Sequence, residues 1–428
     1  MIVRGYSLIS GICLCAAYVG VCRAYPSQTL PFARLAEAPV VATCLVQETS
    51  RDSSPVSSEK RVVSAHATLL VLRSFPELTV RAGERIHLDY EALPYGDSGM
   101  NGPDVPHLTP GAIFALPLKL NPKPSSDAWR LIADEGRSLV IPAILRKPAF
   151  APRPRNGREF FLQEIASTLI SGTRTEVFAE ALYVGGQKAI ASEVMYLLEA
   201  KLSPDEDRWA LIAASLLSSF GVPRPTVAEF RSGKDVAGGD YFSGSLITAA
   251  IQRLGDSAKA KERLIHQLLI NSDIASWGAG ITLREFAQEA SLTRELRTML
   301  QSRAAGALSV AREILDAGQT EILGDSTALA LHYISTPGTN HSDVHWACWV
   351  IRDFGTDEQF GRLIGAIKEN QYQDPPRYNE LWNDTIWSNN NRERAVLKIL
   401  LGDQRIYQAG RRYSDIARGE LARIQAHK

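Results

Sequence analysis

The stretch best equipped for chemistry is His341-Ser342-Asp343-Val344-His345. Two histidines at i and i+4 can share a helix face, and Asp343 beside them can act as a third ligand or orient an imidazole. A metal held there would activate water for hydrolysis. The same residues have a structural use. Thr336-Pro337-Gly338 precede them, which places His341 ahead of a helix with Ser342 as N-cap and Asp343 at its positive end. A second group is aromatic: Tyr372, Tyr378, Trp382 and Trp387, in a polar insert between helices. Exposed, these rings suit a peptide or sugar partner. Buried, they pack into the last helices. Asn340-His341-Ser342 and Asn383-Asp384-Thr385 match glycosylation acceptors.

The elements that position these groups are helices. In Val344 to Glu369, Val344, Ala347, Cys348 and Ile351 form one apolar helix face, and Trp346, Trp349 and Val350 add a second. Phe354-Gly355 closes this helix with a left-handed glycine, and Thr356 with Gln359 opens the next by a capping box. Phe360, Leu363, Ile364 and Ile367 form the inward stripe of that second helix. Such a pair cannot bury its apolar surface alone and calls for stacked neighbours. Helical periodicity continues from Glu159 to the end. The expected helices include Gln187 to Leu202, Trp209 to Phe220, Leu246 to Leu254, Lys259 to Ile270, Leu283 to Ala290, and Arg294 to Ala317 with a break near Gly306. Phe220-Gly221, Leu254-Gly255, Leu323-Gly324, Phe354-Gly355 and Leu401-Gly402 are read as recurring helix ends, with one degenerate unit turning at Ala290-Ser291. Over about residues 190 to 426 this pattern resembles HEAT-like α-solenoids, which implies a binding surface and no fixed catalytic residue.

Ahead of the helices the period is two. Val63, Ala65, Ala67, Leu69 and Val71 share one strand face, and Ile86, Leu88 and Tyr90 another. With strands at Pro39 to Glu48, Ala112 to Leu120 and Ala128 to Ala133, these make a small all-β barrel or sandwich. The strand pattern resembles the OB-like barrels of secreted netrin-type modules, which implies binding. Gly96-Asp97-Ser98-Gly99 and His66 resemble fragments of trypsin-like serine proteases. His66 and Ser98 stand only about thirty residues apart, and Met100 replaces the next glycine, so the GDSG segment is read as a turn. Arg231 to Ser245 is glycine-rich but lacks the spacing of a phosphate-binding loop, and no motif calls for a cofactor.

Four segments follow: a signal peptide over 1–24, a β-rich domain over 25–145, a Pro/Arg-rich linker over 146–158, and an α-helical repeat domain over 159–428. Arg4, the uncharged run Leu8 to Val21 and Cys22-Arg23-Ala24 have the order of a secretory signal. The chain is expected to be exported, periplasmic or extracellular, with membrane contact only if this segment stays attached. Cys44 and Cys348 remain after its removal and are read as separate buried thiols. The formal net charge of zero gives no support to nucleic-acid binding. The sequence therefore reads as an α+β multidomain chain, a β domain followed by helical repeats, acting as an exported non-catalytic scaffold for a protein partner. The alternatives are a metal-dependent envelope hydrolase using His341, Asp343 and His345, and a glycan-binding module.

Overall fold

The computed structural model describes residues 35, 38–51, 63–92, 108–120, 128–134, 137–138, 140–172, 178, 181–182, 184–203, 207–219, 225–233, 244–270, 272–386, 391–408 and 411–426. The expected signal segment, the GDSG turn, most of the glycine-rich loop and Trp387 lie outside them. The chain divides into two compact units. One comprises residues 22–216 and 220–260; the other comprises 261–428 with the short piece 217–219.

The first unit opens with a β barrel. Its strands are β1 (Val40–Arg51), β2 (Val63–Phe75), β3 (Arg85–Ala92), β4 (Ile113–Leu120) and β5 (Trp129–Leu131). They pair in the order β1-β2-β3-β5-β4, and β4 returns to β1, so the sheet closes on itself. Every pairing is antiparallel except β3 with β5. Closure removes the exposed edges that an open sheet would carry. The interior is what period two demands: Cys44 and Val46 from β1, Ala65, Ala67, Leu69 and Val71 from β2, Ile86, Leu88 and Tyr90 from β3, and Leu116 and Leu118 from β4. Burial pushes the Cys44 thiol up to about 12, with Arg73 pulling the other way. A short ladder of β6 (Ala133–Asp134) and β7 (Arg137–Ser138) follows, and β8 (Ile141–Pro142) adds to β4.

Within the stretch 146–158, Arg146, Ala149, Ala151, Pro152, Arg153 and Arg155 are exposed, whereas Lys147 is half-buried. Lys147 reaches back to form an ion pair with Glu164 at 3.2 Å, and its ammonium lies over the Phe160 ring. Glu164 belongs to the first helix, α1 (Gly157–Ser171), and its side chain is fully buried. Arg73 of β2 grips it at both oxygens, at 2.8 and 2.6 Å, and donates to the Ile144 and Leu145 carbonyls. Gly157 permits this closeness. A Cβ there would stand 2.5 Å from the Leu35 carbonyl oxygen and 2.7 Å from Val41 Cγ2. The unit continues through α2 (Ala191–Glu199), α3 (Asp207–Ser219), α4 (Val227–Arg231) and α5 (Gly244–Leu254). Next comes α6 (Ala258–Ile270), where the second unit begins.

The second unit is a two-row stack. One row is α7 (Ser272–Leu283), α9 (Ala307–Asp316), α11 (His341–Phe354) and α13 (Pro375–Asn383); each packs on the next. The other is α8 (Ala290–Ser302), α10 (Leu323–Ser335), α12 (Asp357–Gln373) and α14 (Asn391–Leu401), packed likewise. The helices of the first row begin at 272, 307, 341 and 375, and those of the second at 290, 323, 357 and 391, so successive starts lie 33 to 35 residues apart. A hairpin, β9 (Ile406–Gln408) with β10 (Arg411–Arg412), and a last helix, α15 (Tyr413–Ala426), follow α14. No helix among the described residues is long and apolar enough to cross a membrane.

Several expected boundaries move. The segment Leu283 to Ala290 is not a helix: it holds one 3-10 turn, Arg284–Phe286, and the helix precedes it over 272–283. Leu323-Gly324 begins α10 rather than ending a helix. Gly355 is extended, with φ −65°, so α11 stops without a left-handed glycine. Gly255 and Gly306 do take the left-handed region, at φ 80° and 73°. The Thr356–Gln359 capping box forms as read.

Replacing Arg73 with methionine leaves Glu164 buried with a single cation. We expect Arg73→Met to lower the unfolding free energy by ~3 kcal/mol, measured by urea unfolding. A loss under ~1 kcal/mol would mean that Glu164 is rehydrated and that the ion pair does not hold barrel to helix.

Candidate functional site

The two histidines stand on α11, whose first residue is His341. Asn340 is the N-cap, accepting from the Asp343 backbone N–H at 2.9 Å, so the role read for Ser342 falls two residues earlier. The i, i+4 spacing does place both imidazoles on one face. Each turns to a carboxylate from α13 and its C-cap. His345 Nδ1 lies 2.9 Å from Asp384 Oδ1, and His341 Nδ1 lies 3.6 Å from Glu380 Oε1. Asp343 is bonded instead to the side-chain amide of Asn340. Among the described residues, no three His, Cys, Asp or Glu side chains are gathered as a metal-holding group.

The His345 pair lies within an aromatic and cationic cluster. Its ring is 4.9 Å from that of Trp346 and 4.8 Å from that of Trp349. Trp349 in turn lies against two guanidinium groups, Arg312 of α9 at 5.1 Å and Arg352 at 4.9 Å from the ring centroid. Asp384 is buried, and its second oxygen, Oδ2, has no hydrogen-bond partner among the described residues. His345 is thus the side chain that pairs with this carboxylate, at Oδ1. The arrangement joins α9, α11 and the end of α13, three helices of one row.

The aromatic group resolves differently from residue to residue. The polar insert is itself a helix, because Pro375 and Pro376 occupy its first positions and Asp374 caps it by accepting from the Arg377 N–H at 3.1 Å. This turns Tyr378 and Trp382 inward, at 0% and 1% exposure, so neither ring offers a face to a partner. Tyr372, at 74% exposure, does. Trp387 lies outside the described residues. The buried rings surround an ion pair that sequence reading did not single out. Asp403 is held by Arg405 at 2.6 to 3.2 Å, by Gln371 at 3.1 Å and by the Tyr378 hydroxyl at 3.2 Å. The Arg405 guanidinium lies over the rings of Tyr372, Tyr378 and Tyr413 at 4.9, 5.4 and 5.5 Å. Asn379 accepts from the Tyr413 hydroxyl at 2.6 Å and from Trp382 Nε1 at 3.3 Å. The only signal in the sequence was the pairing Asp403-Gln404-Arg405 just beyond a helix end, which has many other uses.

Charge in this knot is strongly coupled. Burial alone would raise Asp403, but hydrogen bonds from Arg405 and Gln371 outweigh it and hold the carboxyl at about 2. Burial and the Asp403 charge raise the Tyr378 hydroxyl well above its ordinary range. Both groups therefore keep one protonation state across neutral pH, and their polar atoms are spent on each other. The knot fastens α13, the hairpin and α15 together.

The other nominated groups are paired or buried. His66 pairs with Asp89 across β2 and β3 at 2.8 Å. Cys44 and Cys348 are buried free thiols. Thr385, of the second glycosylation acceptor, is buried and donates to the Leu381 carbonyl at 2.6 Å. No family model, curated protein or solved structure matches the chain.

Three predictions follow from these clusters. Asp403 lies below its ordinary value of 3.8, so its stabilising contribution is full above about pH 4 and is lost as pH falls toward 2. Asp403→Asn should remove about 2 kcal/mol of stability at pH 7, and the deficit relative to the natural chain should vanish by about pH 2. Urea unfolding across pH would show it, and a pH-independent deficit would refute it. His345→Ala leaves Asp384 buried and unsatisfied and should cost about 1–3 kcal/mol. Dialysis against a chelator should leave the natural chain's melting temperature unchanged; a fall of several degrees would instead identify a bound metal.

Proposed function

We propose that this chain is an exported, non-catalytic interaction scaffold. The observation that carries the reading is the two-row stack of helix pairs at a spacing of 33 to 35 residues. Regular stacks of this kind bury their facing sides and bind partners through the sides left over. The spacing supports a helical-repeat array, with a unit shorter than the 40 to 47 residues of HEAT repeats. In the barrel, the order β1-β2-β3-β5-β4 with parallel β3 and β5 supports the OB-like reading, a fold that is also used for binding. Export rests on Arg4, the apolar run Leu8 to Val21 and the small residues before Tyr25.

The hydrolase alternative has less support, since His341 and His345 face Glu380 and Asp384 while Asp343 serves the helix cap. The glycan alternative loses the stacking faces of Tyr378 and Trp382 and keeps Tyr372.

The test uses the full chain as bait in envelope extract, with retained proteins identified by mass spectrometry. We expect one specific protein to be retained, and retained equally by His345→Ala bait at a temperature where that variant is folded. A bait that retains nothing above control while showing hydrolytic turnover that His345→Ala abolishes would replace the scaffold with the hydrolase.

A further inference from the structure

A groove of about 1330 Å³ runs over α14, between α12 on one side and α15 on the other. Its floor is apolar: Ile364, Ile399 and Leu421 line it, each half-buried. Its charges are of one sign. Lys368, Arg394 and Lys398 line it, and no carboxylate does. The chain as a whole has no net charge, so this is a local concentration. Neighbouring arginines on the same helices are consumed internally. Arg392 pairs with Asp357, Arg418 with Asp415, and Arg423 with Glu393 and Glu420. The three groove cations have no such partner among the described residues.

We propose that this groove docks an acidic amphipathic helix from a partner protein, an inference that rests on the scaffold reading and gives it a surface. Arg394 and Lys398 are four residues apart on α14, which sets their stems about 6 Å apart along the axis. Carboxylates at i and i+4 of a facing helix repeat at the same interval. Lys368 on α12 stands on the flank and pairs with a third acid. Apolar side chains on the inner face of the incoming helix cover the floor, as in other helix-in-groove complexes. A lipid headgroup or free phosphate calls for donors converging on one point, whereas these cations form a row along and across helices.

The experiment selects 16-residue peptides from a random library on the full chain, with counter-selection on the Lys368→Glu, Arg394→Glu, Lys398→Glu variant. None of the three residues has an internal partner among the described residues, so the variant should fold; matched circular dichroism melts check this, and Lys398→Glu alone serves if it does not. We expect enriched peptides to carry acidic residues at i and i+4 with apolar residues between them. A fluorescent copy of the best should bind the variant at least tenfold more weakly and should weaken with added salt. Enrichment without an acidic bias, or equal binding to both proteins, overturns the proposal. So does binding of phosphatidylglycerol vesicles through the same three residues with no peptide enriched, which assigns the groove to a lipid surface. Concentration-dependent self-association abolished by the variant assigns it to a second copy of the chain. If the envelope partner is retained equally by natural and variant baits, the groove inference fails while the scaffold stands; if neither bait retains a partner, the scaffold itself fails.

Discussion

A helix pair with apolar residues on two faces can cover only one of them by itself. The second unit is the result of that constraint repeated. In α11, Val344, Ala347, Cys348, Val350 and Ile351 are all buried, a spread too wide for one neighbour. The helix therefore needs α9 and α13 in its own row and α10 beside it. The N-cap positions of the rows keep a constant spacing. Gly306, Asn340 and Asp374 precede α9, α11 and α13 at a constant interval, and Ile322 and Thr356 precede α10 and α12 at the same one. Polar links bridge successive members of a row, as Arg297 does to Asp325 and Arg392 to Asp357. Exposed pairs of this kind contribute little stability each, and they fix register more than they add energy.

The first unit solves a different problem. A closed five-stranded barrel satisfies its own backbone, so nothing in the ladder obliges a helix to join it. The joint is made instead by one buried carboxylate. Glu164 is buried against two cations, Arg73 and Lys147, and those two come from the barrel and from the segment after it. Gly157 lets the start of α1 lie closer to the Leu35 carbonyl and the Val41 side chain than a Cβ would allow. The arginine and lysine content of 146–158 looked like solubility, and part of it is instead the counter-charge of a buried acid.

The barrel was the more legible half. Alternation places Ala65, Ala67, Leu69 and Val71 on one face whatever the strands pair with, and the structure buries that face. The spacing of the helices was harder to read for an identifiable reason. Equivalent cap positions are filled by glycine, asparagine and aspartate, so no single residue type recurs at the period. Following glycine alone joined unlike features: Gly255 ends a helix in the left-handed region, Gly324 sits in the first turn of one, and Gly355 is extended. The candidate site was legible as spacing and not as partnership. That His341 and His345 share a face follows from four residues of separation. That Asp384 and Glu380 meet them depends on the packing of α13, a segment that had read as a polar insert between helices. Asp403 and Arg405 were invisible because a buried ion pair next to a turn has no pattern beyond its two residues.

The two free thiols have a consequence for how the molecule comes apart. Cys44 is sealed in the barrel core, and Cys348 on α11 within the helical stack, so each compact unit holds one of them. Cys44 and Cys348 are not crosslinked, so no disulfide between them couples the opening of one unit to that of the other. A thiol-specific reagent can reach each sulfur only when the surrounding side chains part. The chain thus carries two built-in clocks, one for each unit, and the difference in their rates is a direct reading of whether the units loosen together or one at a time.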